Sequence, residues 1–154
     1  LHRAYTLVEL VIVMLVMGIL AATAMPQYFA MLNHYRVEAA AAQLAADLRW
    51  ARRSAQQTGT SQSVNFTLPS QYAMPGMSDP DHPSQGFVVD FTLSQPGVSI
   101  QAVDFDSSTT MSFDIYGRPQ TSTPLTADGT IQVGAGSQIR TVTVNAVTGQ
   151  VSGS

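Results

Sequence analysis

The chain has 154 residues, room for one ordinary domain and an appendage but not for two full domains. Charged residues make up 11% and the formal net charge is −3, so composition makes no case for nucleic-acid binding or for attachment to an acidic membrane surface. There is no cysteine, which excludes disulfide frameworks, thiolate metal sites and cysteine nucleophiles, and all seven basic residues are arginine.

Composition changes sharply near Gln57. Before it, turn-forming residues are scarce; after it, Gly, Pro, Ser, Thr and Asn abound. The chain therefore reads as a helical third followed by a β-rich two thirds. From Leu10 to Met25 the residues run LVIVMLVMGILAATAM, with no charge and Thr23 as the sole polar side chain. Counted from Tyr5 to Met25, 21 residues hold a single charged group, Glu9. A helix of that length spans roughly 30 Å, the hydrocarbon thickness of a bilayer. A secretory signal peptide shares the basic start and apolar core, but its core is shorter and ends at a small-residue cleavage site. Here Ala22-Thr23-Ala24 is the only such site, and the pattern runs on into further helix. Arg3 precedes the span and Arg36 is the first basic residue after it, a slight bias that puts the N-terminus in the cytoplasm.

Glu9 stands out, because a carboxylate in an apolar span costs a few kcal/mol and needs a partner or a role. Snorkelling into the headgroups is the bland alternative. Ala4-Tyr5-Thr6-Leu7-Val8-Glu9-Leu10 and the apolar run that follows resemble the processing and methylation motif of type IV pilins and type II secretion pseudopilins. The resemblance implies cleavage between Ala4 and Tyr5 by a prepilin peptidase, with N-methylation at Tyr5. Glu9 is then the fifth mature residue, the glutamate thought to meet the charged N-terminus of a neighbouring subunit. Gly18 and Pro26 fall at the spacings where the family often has a glycine and a helix-kinking proline. The residue before the cut is usually glycine in this family and is Ala4 here. A start at Leu1 with four residues before the cut reads as a truncated leader or an unusual initiation codon.

After Pro26 the sequence stays helical to about Gln57. Leu32, Tyr35, Ala39, Ala42, Ala46 and Ala55 recur near helical spacing, with Leu44, Leu48 and Ala51 widening the stripe. This predicts an amphipathic helix laid on the following domain, closed by Gly59. Arg49, Arg52 and Arg53 surround Trp50, the only tryptophan; phosphate contact with base stacking is one reading, and a solvated face with Trp50 tucked against a sheet is the favoured one. Ala51-Arg52-Arg53-Ser54-Ala55 resembles the Ala-Arg-x-x-Ala pattern of the GspH/FimT group of minor pseudopilins, as does the strand that follows.

Strands are expected at Ser63–Leu68, Phe87–Leu93, Val98–Phe105, Thr110–Ile115, Thr130–Val133, Ile139–Val144 and Val147–Val151. In Val98–Phe105 the inward side chains are expected to be Val98, Ile100, Ala102 and Phe105. Tyr72–Gly86 reads as a long Pro-rich connection, with Asp79, Asp81 and His82 as weak metal-ligand candidates that lack calcium-loop spacing. Phe113-Asp114-Ile115-Tyr116-Gly117-Arg118 and Thr148-Gly149-Gln150-Val151 resemble the closing turns of the GspH/FimT domain. The histidines, His2, His34 and His82, stand apart, and Asp104, Asp106 and Asp114 read as solvated carboxylates on a β-surface. No nucleophile elbow or phosphate loop is present, so no enzyme, cofactor or metal is expected.

The expected architecture is α+β and pilin-like: a long N-terminal helix packed on an antiparallel β-sheet or sandwich. Its parts are a leader remnant (1–4), a transmembrane and assembly helix (5–30), an amphipathic helix (31–58) and a β-rich periplasmic domain (59–154). The resemblance implies a minor subunit of a type II secretion pseudopilus or type IV pilus in the bacterial inner membrane. Its partners would be other pilins or pseudopilins, prepilin peptidase/methyltransferase, the inner-membrane assembly platform and the lipid bilayer. A DNA-capturing minor pilin is a second, less favoured reading, and a single-pass protein with an unrelated periplasmic domain a third.

Overall fold

The computed structural model describes residues 6–80 and 82–153, which divide into two compact units, 1–32 and 33–154. One helix, α1 (Leu7–Thr58), contributes to both units, and is α-helical on either side of Pro26. It stops at Gly59, whose φ of +63° and N–H bond to the Ala55 carbonyl make the left-handed cap that glycine adopts without strain.

In the second unit, β1 (Gln62–Thr67), β2 (Gln71–Ser78), β3 (Gly86–Asp90), β5 (Thr110–Phe113) and β6 (Pro119–Gln120) form one antiparallel sheet in the order β3-β2-β1-β5-β6. A second sheet has the order β4-β7-β8-β9, from β4 (Ser99–Asp104), β7 (Gly129–Ala135), β8 (Gln138–Val144) and β9 (Val151–Gly153). The α+β, pilin-like expectation is met: the later half of α1 shares one core with both sheets.

The face that α1 buries differs from the expected stripe. Val37, Ala40, Ala41, Leu44, Ala45, Leu48, Ala51 and Ala55 are buried, whereas Tyr35, Ala39, Ala42 and Ala46 are exposed. An alanine run holds alanines on every face and so carries no phase. The bulky residues set it, because burying each leucine or valine is worth about 1.5–3 kcal/mol. The many alanines on the buried side allow close approach to the sheets. Trp50 is half-buried against the core, its ring 5.3 Å from that of Phe87, as the favoured reading of that segment has it.

Four strand expectations change; one is Val147–Val151, which is a turn up to Gln150, held by Asn145, with strand beginning only at Val151. Much of the supposed Tyr72–Gly86 connection is β2, with Tyr72, Met74 and Met77 buried. Its Pro75-Gly76 pair sits where the β2–β3 register shifts between Met74 and Ser78, the kind of irregularity that tolerates a residue without an N–H. Phe87–Leu93 is strand only to Asp90. There the Asp90 carboxylate accepts the Thr92 N–H at 2.8 Å and caps a short helix, α2 (Phe91–Ser94), that buries Phe91. Ala102 is exposed rather than inward, because a register shift between Ile100 and Ala102 reverses the alternation; Ile100 and Phe105 are buried.

Tyr72 donates its hydroxyl hydrogen to Asp47 Oδ2 at 2.5 Å, joining β2 to α1. Burial pushes the Asp47 carboxyl above its usual range, and the Tyr72 hydrogen bond pulls it part of the way back. Burial, together with the nearby carboxylate, also pushes the Tyr72 hydroxyl up, so it stays a donor. A carboxyl whose folded pKa lies above its unfolded value favours folding most below the unfolded pKa, about 4. That contribution is lost as pH rises through the folded pKa. Tyr72→Phe removes the bond that lowers the Asp47 pKa and leaves a half-buried carboxylate short of a donor. It is expected to lower stability by about 1–3 kcal/mol at neutral pH. It should also widen the loss of stability above pH ~4, and Asp47→Asn should flatten it. Urea unfolding of the full chain in detergent at a series of pH values checks both.

Candidate assembly surface and the turn that locks the globular unit

Every described side chain from Thr6 to Met31 is exposed, and most are large and apolar, among them Leu10, Ile12, Leu15, Ile19, Leu20 and Phe29. The segment has a window of mean hydropathy 2.5 with none of it buried. A helix apolar on every side needs lipid or other helices around it. One of its polar side chains is satisfied within the helix, as an apolar surrounding favours. Thr23 donates its hydroxyl hydrogen to the Leu20 carbonyl at 2.9 Å.

Among the expected site residues, Ala4 and Tyr5 lie outside the described residues. Glu9 and Gly18 are exposed on α1, and Pro26 is within it. A side-chain carbon built at Gly18 would meet nothing within 4 Å, so no part of its own chain requires glycine there. Small residues of this kind let apolar helices approach closely.

Sequence reasoning missed Thr6. Its hydroxyl oxygen accepts the Glu9 N–H at 3.3 Å, and its carbonyl accepts the Leu10 N–H at 3.2 Å. Thr6 therefore caps α1, and the spacing Thr6-x-x-Glu9 is that of a capping box, a signal present in the letters. It gives Glu9 a role within its own chain, as an acid in the first turn where the helix dipole favours negative charge.

In the globular unit three motifs that the sequence holds apart meet at one place. Arg52 Nε donates to the Gly117 carbonyl at 3.2 Å, and Gln56 Nε2 donates to the Tyr116 carbonyl at 2.9 Å. The turn they hold is built on Asp114, which accepts the N–H groups of Tyr116 and Arg118 and pairs with the Arg118 guanidinium at 3.0 Å. Desolvation acts to raise the Asp114 carboxyl. The main-chain and side-chain donors of Arg118, with the Tyr116 N–H, outweigh it and hold the group below the usual carboxylate range. The turn joining β8 to β9 closes on the other side. Asn145 Oδ1 accepts the N–H groups of Val147 and Thr148, and Gly149, at φ +64°, lies against the Gly117 carbonyl. One helical turn earlier, Arg49 donates to the Val151 carbonyl through Nε at 3.2 Å and Nη2 at 2.9 Å. Arg49 and Arg52 thus face main-chain carbonyls of their own unit rather than forming an outward row for phosphates.

The expected surface carboxylates are turn caps, Asp104 and Asp106 at the β4–β5 connection and Asp114 in the turn after β5. Asp104 accepts the Ser107 N–H, and Asp106 accepts the N–H and hydroxyl of Thr126, which hold its carboxyl below the usual range. His34 lies 3.4 Å from Glu38, and His82 lies 3.2 Å from Asp79; Asp81 is outside the described residues. Among the described residues no three potential ligands gather as a metal would need.

A helix apolar on all sides in its first half, whose second half carries a two-sheet β-domain, defines the pilin class of structural subunit. The model of the family described as "Type II transport protein GspH" matches residues 40–149. The chain belongs to that family. The model of the prokaryotic N-terminal methylation motif matches residues 1–25. No curated protein matches the chain in sequence. Among solved structures it is similar to the type IV minor pilin FimU of Pseudomonas aeruginosa in two crystal forms. One has 13% identity and a TM-score of 0.55, covering 75% of this chain and 86% of that one. The other has 14% identity and a TM-score of 0.55, covering 76% of this chain and 91% of that one. At such identities the likeness is one of fold.

Proposed function

We propose that the chain is a minor pilin or pseudopilin, a structural subunit rather than an enzyme, of a type II secretion pseudopilus or type IV pilus. Residues 1–4 belong to a leader that prepilin peptidase removes by cutting between Ala4 and Tyr5, and Tyr5 is then methylated. Residues 5–30 anchor the subunit in the inner membrane, N-terminus in the cytoplasm, and pack among the helices of neighbours in the filament. Residues 31–58 fasten that helix to the periplasmic domain, 59–154. Glu9, Gly18 and Pro26 are the assembly residues. The observation that carries the reading is the continuous exposed apolar surface from Thr6 to Met31, with open space at Gly18. The DNA-capturing alternative has less support, since Arg49 and Arg52 are held on carbonyls.

Mass spectrometry of the mature protein from cells that contain the assembly machinery tests this reading. The expected N-terminus is a monomethylated Tyr5; a mature chain in which Ala4 is still joined to Tyr5 would sink it. Gly18→Leu supplies a second check: the monomer should stay folded and anchored while incorporation into filaments drops at least tenfold in sheared fractions.

A further inference from the structure

We propose that the globular unit takes up an uncharged, extended segment of another polypeptide as an added strand along the open edge of β3. β3 ends the first sheet, with β2 on one side and no strand on the other among the described residues. The Phe91 N–H donates to the Ser70 carbonyl at 2.9 Å, which fixes the alternation of the β2–β3 ladder. Val89 and Phe87, opposite Tyr72 and Met74, therefore bond to β2, and the N–H and C=O of Val88 point away from it. Neither of these Val88 groups has a partner among the described residues, and the side chain is 57% exposed. β3 lies between β2 and α2, so its edge is not one left bare by the end of the chain. The loop before it closes on itself, Asp79 N–H to the Gln85 carbonyl at 3.0 Å and Gln85 N–H to the His82 carbonyl at 2.8 Å. Of that loop Asp81 alone is outside the described residues.

The other sheet edges carry devices that discourage pairing. β6 is two residues long and opens on Pro119, β4 is distorted by its register shift, and the Val151 carbonyl of β9 is taken by Arg49. Residues 86–89 hold neither charge nor proline, and the irregularity beside them falls in β2. The same edge specifies its occupant. Only extended backbone offers donors and acceptors at the strand repeat. Phe87, Val89 and Trp50 are partly buried at the rim of the core, the Trp50 and Phe87 rings 5.3 Å apart. Apolar side chains on the inward face of an added strand would extend that core. Asp90, the one charged residue of β3, already accepts from Gln71 at 2.8 Å, from the Thr92 N–H at 2.8 Å and from the Thr92 hydroxyl at 2.6 Å. A charged side chain of either sign would lose water at this rim with no counter-charge on β3 to meet it. A second copy of this chain is not the partner. Two copies pairing β3 with β3 in the antiparallel manner of the sheet are related by a two-fold axis perpendicular to it. That axis reverses every direction in the sheet plane, α1 included, which two anchors in one membrane do not allow. This exclusion rests on the anchoring in the proposed function; the strand site itself does not.

The test uses the full chain in detergent micelles. Its probe is a fluorescein-labelled, amidated six-residue peptide of alternating valine and threonine, followed by anisotropy beside empty micelles. Binding above the level of empty micelles is expected, with a change in the emission of Trp50. Lysine or aspartate in place of the valines should each weaken binding at least tenfold. N-methylating one alternate set of peptide amides should do the same, and N-methylating the other set should not. Val88→Lys puts a charge on the edge without touching the β2 ladder, and Val88→Pro removes the outward N–H. Each should weaken binding at least tenfold, with amide spectra confirming that the variant is folded. Absence of binding, equal binding of either charged peptide, indifference to N-methylation, or unchanged binding by the folded Val88 variants overturns the proposal. So does a wild-type dimer in micelles that Val88→Lys dissociates, because a second copy would then cover the edge. Normal Tyr5 processing with no peptide binding removes this site alone; peptide binding with Ala4 still joined to Tyr5 removes the assembly reading alone.

Discussion

Gly149→Val is expected to destabilise the globular unit by about 3–5 kcal/mol, from the αL cost and the main-chain overlap together. Gly149 has φ +64°, a region costing an L-residue about 1–2 kcal/mol and least tolerant of β-branched side chains. A side-chain carbon there would also overlap the Gly117 carbonyl and lie 3.2 Å from Arg52 Nε. Those neighbours are main chain and a tethered guanidinium, so relief requires the Asp114–Arg118 turn to withdraw from α1. That withdrawal breaks the Arg52–Gly117 and Gln56–Tyr116 hydrogen bonds, each worth about 0.5–1.5 kcal/mol. Gly86→Ala is the control: its added carbon meets nothing within 4 Å and its φ is not positive, so a change within about 0.5 kcal/mol is expected. Urea unfolding followed by the fluorescence of Trp50, packed on Phe87, measures both. Equal stability of the two variants would show that the meeting of the three motifs is not what locks the unit.

At Glu9 two roles compete, and a pair of substitutions separates them. Glu9→Ala removes the carboxylate from the first turn altogether; Glu9→Gln removes the charge but keeps a side chain at the capping-box spacing from Thr6. If Glu9 acts by meeting the charged N-terminus of a neighbour, both variants should be cleaved at Ala4–Tyr5 normally and fail to enter filaments. Low dielectric around the pair makes a lost partner costly, so incorporation should fall by at least a hundredfold, about 2.7 kcal/mol at 1.36 kcal/mol per decade. If Glu9 serves only the first turn of its own helix, Glu9→Gln should assemble like the wild type. Immunoblots of sheared filaments, beside mass spectra of the mature N-terminus, give the answer. Full incorporation of Glu9→Ala would remove this residue from the assembly mechanism.

Much of this protein is legible without a structure because its signals are local. The apolar run, the stop at Gly59 and the glycine hairpin at Gly136 each depend on neighbours within a few residues. So does the capping-box spacing Thr6-x-x-Glu9, where the Thr6 hydroxyl accepts the Glu9 N–H. The tertiary structure decided what depends on distant parts of the chain. The buried face of α1 follows Val37, Leu44 and Leu48, because only large side chains make one face of an alanine helix worth burying. The inward residues of β4 follow a register shift set by pairing with β7, which no alternation within β4 announces. β2 runs through Pro75 because its partners tolerate a bulge there. Arg49 and Arg52, which read as surface charge, are drawn to the carbonyls of Val151 and Gly117, residues 102 and 65 positions away. Motif residues can be recognised singly in sequence, but a hydrogen bond between them exists only once the core has set their distance.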